Sequence, residues 1–88
     1  MMTATEVRTA PYMVLKAEKA IQQPTLTMTE GYIKAVKVEI YARGDERYGV
    51  IYYSDGSDHA IALPEEFHPS GWMDENQAVA EFAAWVKH

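Results

Sequence analysis

The chain has 88 residues, 48% of them apolar, no cysteine and a formal net charge of −5 at pH 7. Its length suits one domain with a modest core, and its apolar fraction excludes a disordered chain. The lack of cysteine excludes a disulfide framework or thiolate metal site, and no run approaches the roughly 20 apolar residues of a membrane span.

In chain order, residues 12–22 read first as a helix. Pro11 is tolerated in a first turn, Val14, Ala17 and Ile21 fall on one side, and Pro24 stops the run. Residues 12–15 (Tyr-Met-Val-Leu) also fit a strand, and periodicity alone leaves both readings open. Residues 25–29 alternate Thr with Leu26 and Met28, as a short edge strand would.

The middle of the chain reads as a meander. Val36, Val38, Ile40 and Ala42 alternate with Lys37, Glu39, Tyr41 and Arg43, the period of two of a half-buried strand. Residues 47–53 and 59–63 are two further β-rich runs. Asp55-Gly56 is a two-residue hairpin signal, and Gly44-Asp45-Glu46 supplies the other turn. This register predicts one apolar face of Val38, Ile40, Ala42, Tyr48, Val50, Tyr52, Ile61 and Leu63 beneath the last helix. The opposite face then holds Lys37, Glu39, Tyr41, Gly49, Ile51, Tyr53, Asp58, Ala60 and Ala62. That mixed face is either an interface or a second core layer beneath the N-terminal helix.

The loop from Phe67 to Trp72 leads into the clearest helix. Asp74 is its N-cap and Gln77 completes a capping-box pattern. Met73 and Ala78 stand where a hydrophobic staple forms, and Ala78, Val79, Phe82 and Val86 recur at helical spacing. The expected fold is a small single α+β domain over residues 1–88. It is an antiparallel three- to four-stranded meander with an N-terminal and a C-terminal helix packed on the sheet (α-β-β-β-α).

No catalytic motif accompanies this pattern. His59, His68 and His88, with Asp58, Glu65 or Glu66 as neighbours, match no zinc spacing. Asp55, Ser57 and Asp58 flank a glycine as calcium ligands do, but strands rather than helices adjoin them. The adjacent Glu65 and Glu66 point to different sides of an extended chain, so they do not converge as an acid–base pair. Ser54 or Ser70 with His59 or His68 lacks a nucleophile elbow, and Arg43-Gly44-Asp45 is a turn. The expectation is a non-enzyme with no cofactor and no metal.

Charge is the stronger signal. From Gly44 onward there are nine carboxylates against two cations, Arg47 and Lys87, a balance of −7; before it, four carboxylates meet six cations, a balance of +2. The carboxylates fall at turns and element ends. Asp45, Glu46, Asp55 and Asp58 cap the hairpins, and Glu65, Glu66, Asp74 and Glu75 flank the entry to the last helix. With Tyr41, Ile51, Tyr53 and Trp72 as apolar anchors, they form the expected partner-binding set. Such acidity disfavours direct nucleic-acid binding and suits a protein partner with a basic surface. No cationic start or apolar leader precedes Glu6 and Arg8, so a cytoplasmic protein, monomer or homodimer, without membrane association is expected.

In size, charge and element order the chain resembles the phage-encoded inhibitors of bacterial defence complexes, anti-CRISPR proteins among them. The resemblance covers no motif, so no residue is carried over. It implies a non-catalytic inhibitor that occludes a nucleic-acid-binding partner by imitating a phosphate backbone. The alternatives are a homodimeric structural or regulatory domain joined through the Tyr41–Ile51–Tyr53 face, and a small enzyme or metal binder.

Overall fold

Thr3 opens the first helix, α1 (Ala4–Thr9), in the computed structural model of the chain, which describes residues 2–21, 34–67 and 74–87. The Glu6 amide donates to Thr3 Oγ1 at 3.1 Å, and the Thr3 amide donates back to Glu6 Oε1 at 3.4 Å. This reciprocal capping box satisfies two amide donors that a helix start would otherwise leave open. Residues 10–13 then form a type II turn: the Met13 amide donates to the Ala10 carbonyl, Pro11 takes the second position and Tyr12 the third, at φ 63°.

The turn delivers the chain into a strand, β1 (Val14–Ala20), and not into the helix expected over residues 12–22. The strand alternative for residues 12–15 therefore holds for Val14 and Leu15. The physical reason for the misreading is a bulge at Lys16. Val14 pairs with Ala42 and Ala17 with Ile40, so one extra residue separates two positions on the same side of the sheet. Val14, Ala17 and Ile21 thereby gain helical spacing while lying along extended backbone. Residues 25–29 lie outside the described residues.

Three more strands follow: β2 (Ala35–Arg43), β3 (Glu46–Tyr53) and β4 (Asp58–Ala62). With β1 they form an antiparallel sheet in the order β1-β2-β3-β4. A 3₁₀ turn (Glu65–Phe67) and the second helix, α2 (Glu75–Lys87), complete the described chain. The expected α+β fold with a helix at each end is present. Asp74 caps α2 as expected, accepting from the Gln77 amide at 2.8 Å; Met73 is outside the described residues.

Both hairpins depart from the expected register by one residue. The first has a two-residue loop, Gly44-Asp45, with Arg43 opposite Glu46 and Gly44 at φ 58°. Glycine at the first loop position with positive φ makes this a type II′ turn, whose twist matches the flanking strands. The second has a three-residue loop, Ser54-Asp55-Gly56. The Gly56 amide donates to the Tyr53 carbonyl, Gly56 sits at φ 89°, and the Tyr53 amide donates to the Ser57 carbonyl. That is a type I turn closed by a left-handed glycine.

A one-residue slip turns a strand over. Ile40, Gly49 and Ile61 are cross-strand neighbours, as are Val38, Ile51 and His59. The slips on either side of β3 cancel between β2 and β4, so β3 alone is inverted relative to the expected faces. Ile51 joins Val38, Ile40 and Leu63 under Ala78, Val79, Phe82 and Ala83 of α2. Val50 lies on the other side with Tyr41 and Ala60, beneath Ala4 and Val7 of α1, with Tyr48 and Tyr52 packed against them. The sheet is therefore covered on both faces. Gly49 is required where Phe82 crosses it, since a Cβ there would lie 2.4 Å from the Phe82 ring.

Candidate functional site

The tyrosine-bearing face expected as an anchor does not exist as one surface. Tyr41 is buried under α1 and Ile51 under α2, on opposite sides of the sheet, with Tyr53 half-buried against the α2 core. The inversion of β3 is the cause. The homodimer route through a Tyr41–Ile51–Tyr53 face is thereby removed. Trp72 lies outside the described residues. Among the described residues, the large exposed apolar side chains are instead Tyr12, Val14, Leu15, Val36 and Trp85, and Trp85 stacks on Phe82 at 6.1 Å between ring centroids.

The tyrosines under α1 build a polar cluster that sequence reasoning missed. Glu39 is only 5% exposed. Its Oε1 accepts from the Tyr41 hydroxyl at 3.0 Å and the Tyr52 hydroxyl at 2.5 Å. Lys37 Nζ stands 3.4 Å from Glu39 Oε2 and 3.5 Å from Glu18 Oε1. Glu18 and Glu39 are direct cross-strand partners, so this ammonium offsets what would be like-charge repulsion. Arg8 of α1 donates to the Tyr52 hydroxyl at 3.1 Å, pairs with Asp58 at 3.1 Å and lies 5.7 Å above the Tyr52 ring.

Burial, then the hydrogen bond to Glu39, raise the proton affinity of the Tyr41 hydroxyl well above the ordinary tyrosine value. Tyr52 is raised for the same two reasons, opposed by Arg8. Two cations, Lys37 and Arg8, meet three carboxylates in this cluster, and its chemistry is that of a fastener for α1. The signal in the sequence was a Lys-x-Glu-x-Tyr alternation on one side of an otherwise apolar strand.

The nominated carboxylates divide into two groups. Glu46 is held by Arg43 at 2.8 Å, Asp58 by Arg8, and Glu75 by Lys16 at 3.8 Å. In all three pairs a cation from the first half meets a carboxylate from the second, so folding draws much of the charge asymmetry together. Asp45, Asp55, Glu65 and Asp74 are exposed and have no ion pair among the described residues. Asp55 accepts from the Ser57 hydroxyl and amide, which lowers its proton affinity; Asp74 is occupied as the helix cap. Glu66 lies in the 3₁₀ turn.

Asp45 and Asp55 occupy opposite ends of β3, roughly 25–30 Å apart at about 3.3 Å per residue. Glu65 lies near the Asp45 end, because the Leu63 amide donates to the Arg47 carbonyl. His59 is on β4, His68 and His88 lie outside the described residues, and no metal-holding group of His and carboxylates occurs among the described residues. None of the described helices is long and apolar enough to cross a membrane. No protein-family model, curated protein or solved structure matches the chain.

Proposed function

We propose that the chain is a non-catalytic protein-binding module whose exposed carboxylates occupy a basic, nucleic-acid-binding surface of a partner. The observation that supports this reading is the placement of uncompensated charge. Asp45, Asp55 and Glu65 are exposed and unpaired among the described residues, while Arg8, Lys16, Lys37 and Arg43 are each engaged by carboxylates. Carboxylates separated by the length of β3 suit cations lining a groove better than a single basic spot. A Lys/Arg-lined groove of that kind ordinarily holds a phosphate backbone. The resemblance in size and charge to phage-encoded inhibitors of defence complexes points to the same partner class, and steric and electrostatic occlusion would be the mechanism.

The test is a triple variant, Asp45→Lys, Asp55→Asn and Glu65→Lys. Asn at position 55 preserves the turn, and Asp58 is left intact because it holds Arg8. Nucleic-acid-binding proteins captured by the parent chain at low salt should be lost from the variant and released from the parent at high salt. Retention of the same proteins by the variant at both salt concentrations refutes the reading.

A further inference from the structure

The two edges of the sheet are treated differently. On β1 the edge is bulged at Lys16 and carries Lys16 and Lys19, features that discourage a further strand from pairing. On β4 the strand is Asp-His-Ala-Ile-Ala, without lysine or proline, and its register with β3 runs from Asp58 to Ala62 without interruption. The bonds from the Tyr53 amide to Ser57 and from the Leu63 amide to Arg47 fix which groups face inward. By the alternation of an antiparallel ladder, Asp58, Ala60 and Ala62 turn their N–H and C=O groups away from β3. No backbone bond reaches them from that side among the described residues.

A cavity of about 270 Å³ runs beside this edge, lined by Met2, Tyr48, Ala60, Ile61 and Ala62. Its lining is mostly apolar, and it has room for one large aliphatic side chain. Carboxylates bracket the strand: Asp55 stands before it and Glu65 after it, while Asp58, its first residue, is held by Arg8.

We infer that β4 is a docking edge, to which an extended segment of the partner adds as a fifth strand, placing an apolar side chain in the Met2–Tyr48 cavity and flanking cations against Asp55 and Glu65. This inference rests on the acidic-module reading and names the form of its partner. Main-chain bonds to Asp58 and Ala62, the exposed outward-facing residues of the edge, supply affinity, the cavity selects the central side chain, and the carboxylates select flanking Lys or Arg. The occupant is a basic extended segment and not a second copy of β4, since two copies paired antiparallel about Ala60 would set Asp55 of each against Glu65 of the other.

The experiment titrates the labelled full chain with the peptide Arg-Lys-Val-Leu-Val-Lys-Arg and with its charge-reversed counterpart Glu-Asp-Val-Leu-Val-Asp-Glu, following backbone amide shifts. The basic peptide should bind and shift the amides of Asp58, Ala60 and Ala62; the acidic one should not. Ala62→Pro removes an outward donor without touching the β3 ladder, and Ala62→Lys adds an edge cation. Each should weaken binding about tenfold or more, with melting curves confirming that both variants fold. Equal binding by folded Ala62→Pro and Ala62→Lys overturns the inference. Binding of the basic peptide that shifts only residues near Asp45, with β4 unmoved, overturns strand addition and leaves the acidic-module reading standing. Failure of the basic peptide to bind at low salt overturns both.

Discussion

Glu39 is a carboxylate buried in a sheet face made mainly of tyrosine and aliphatic side chains, and its surroundings explain how the fold tolerates it. Two tyrosine hydroxyls and the Lys37 ammonium meet its oxygens, so no buried charge is left without a partner. The arrangement has a consequence at alkaline pH. Tyr41 holds its proton more tightly in the fold than at the ordinary value of 10.0, first through burial and then through Glu39. Above about pH 10 the unfolded chain gives up a proton that the native state retains, so stability falls as pH rises; below it this contribution is constant. Melting temperature should therefore decline from about pH 10 upward, and Tyr41→Phe should make the decline shallower. Identical slopes for parent and variant would show that Tyr41 is not the group responsible.

The contact between β3 and α2 is decided by one missing side chain. A Cβ on Gly49 would meet the Phe82 ring at 2.4 and 2.6 Å and Leu63 at 3.1 Å, while Phe82 itself has no exposed surface. Gly49→Ala should cost roughly 1–3 kcal/mol through overpacking. Phe82→Leu in the same chain should recover part of that loss, because the two changes share one space; denaturant unfolding of the single and double variants measures this coupling. Gly49 also shows what was legible in the sequence. Its strand was evident, but its face was not, because hairpin loop length sets register and the two loops differ from their expected lengths by one residue each. The Asp-Gly pair of the second loop is extended by Ser54, and Glu46 of the first belongs to β3. Two slips of opposite sense kept β2 and β4 correctly aligned, so the agreement between two turns was no guarantee of the strand between them. The same reason hid the candidate site: Tyr41 and Ile51 share a face only in the expected register, and not in the observed one. The Thr3-x-x-Glu6 capping box that starts α1 went unread, and the bulge at Lys16 gave β1 a helical spacing that no local rule distinguishes from a helix.

At the scale of the molecule, one sheet carries two cores of unequal size, and the smaller is closed by a helix too short to be stable alone. α1 has six residues, so it forms only because Val7 and Ala4 pack on Tyr41, Val50 and Ala60 while Arg8 bridges to Tyr52 and Asp58. The α2 layer shares no core residue with it across the sheet. A Val7→Asp change should therefore detach α1 and leave the sheet with α2 assembled. Its cost is capped by the docking energy of α1, since the helix can leave the surface sooner than hold a carboxylate against it. Fully burying a valine contributes about 1.5–3 kcal/mol, which sets the expected scale. Detachment would uncover Tyr41, Tyr48, Val50 and Ala60 together, an apolar patch of the kind that drives association. Val7→Asp should keep most of its far-ultraviolet circular dichroism, bind a hydrophobic dye and sediment as dimers or larger species where the parent does not. If it unfolds in one step with the whole sheet, the two layers are one cooperative unit, and α1 is part of the core and not a cover over it.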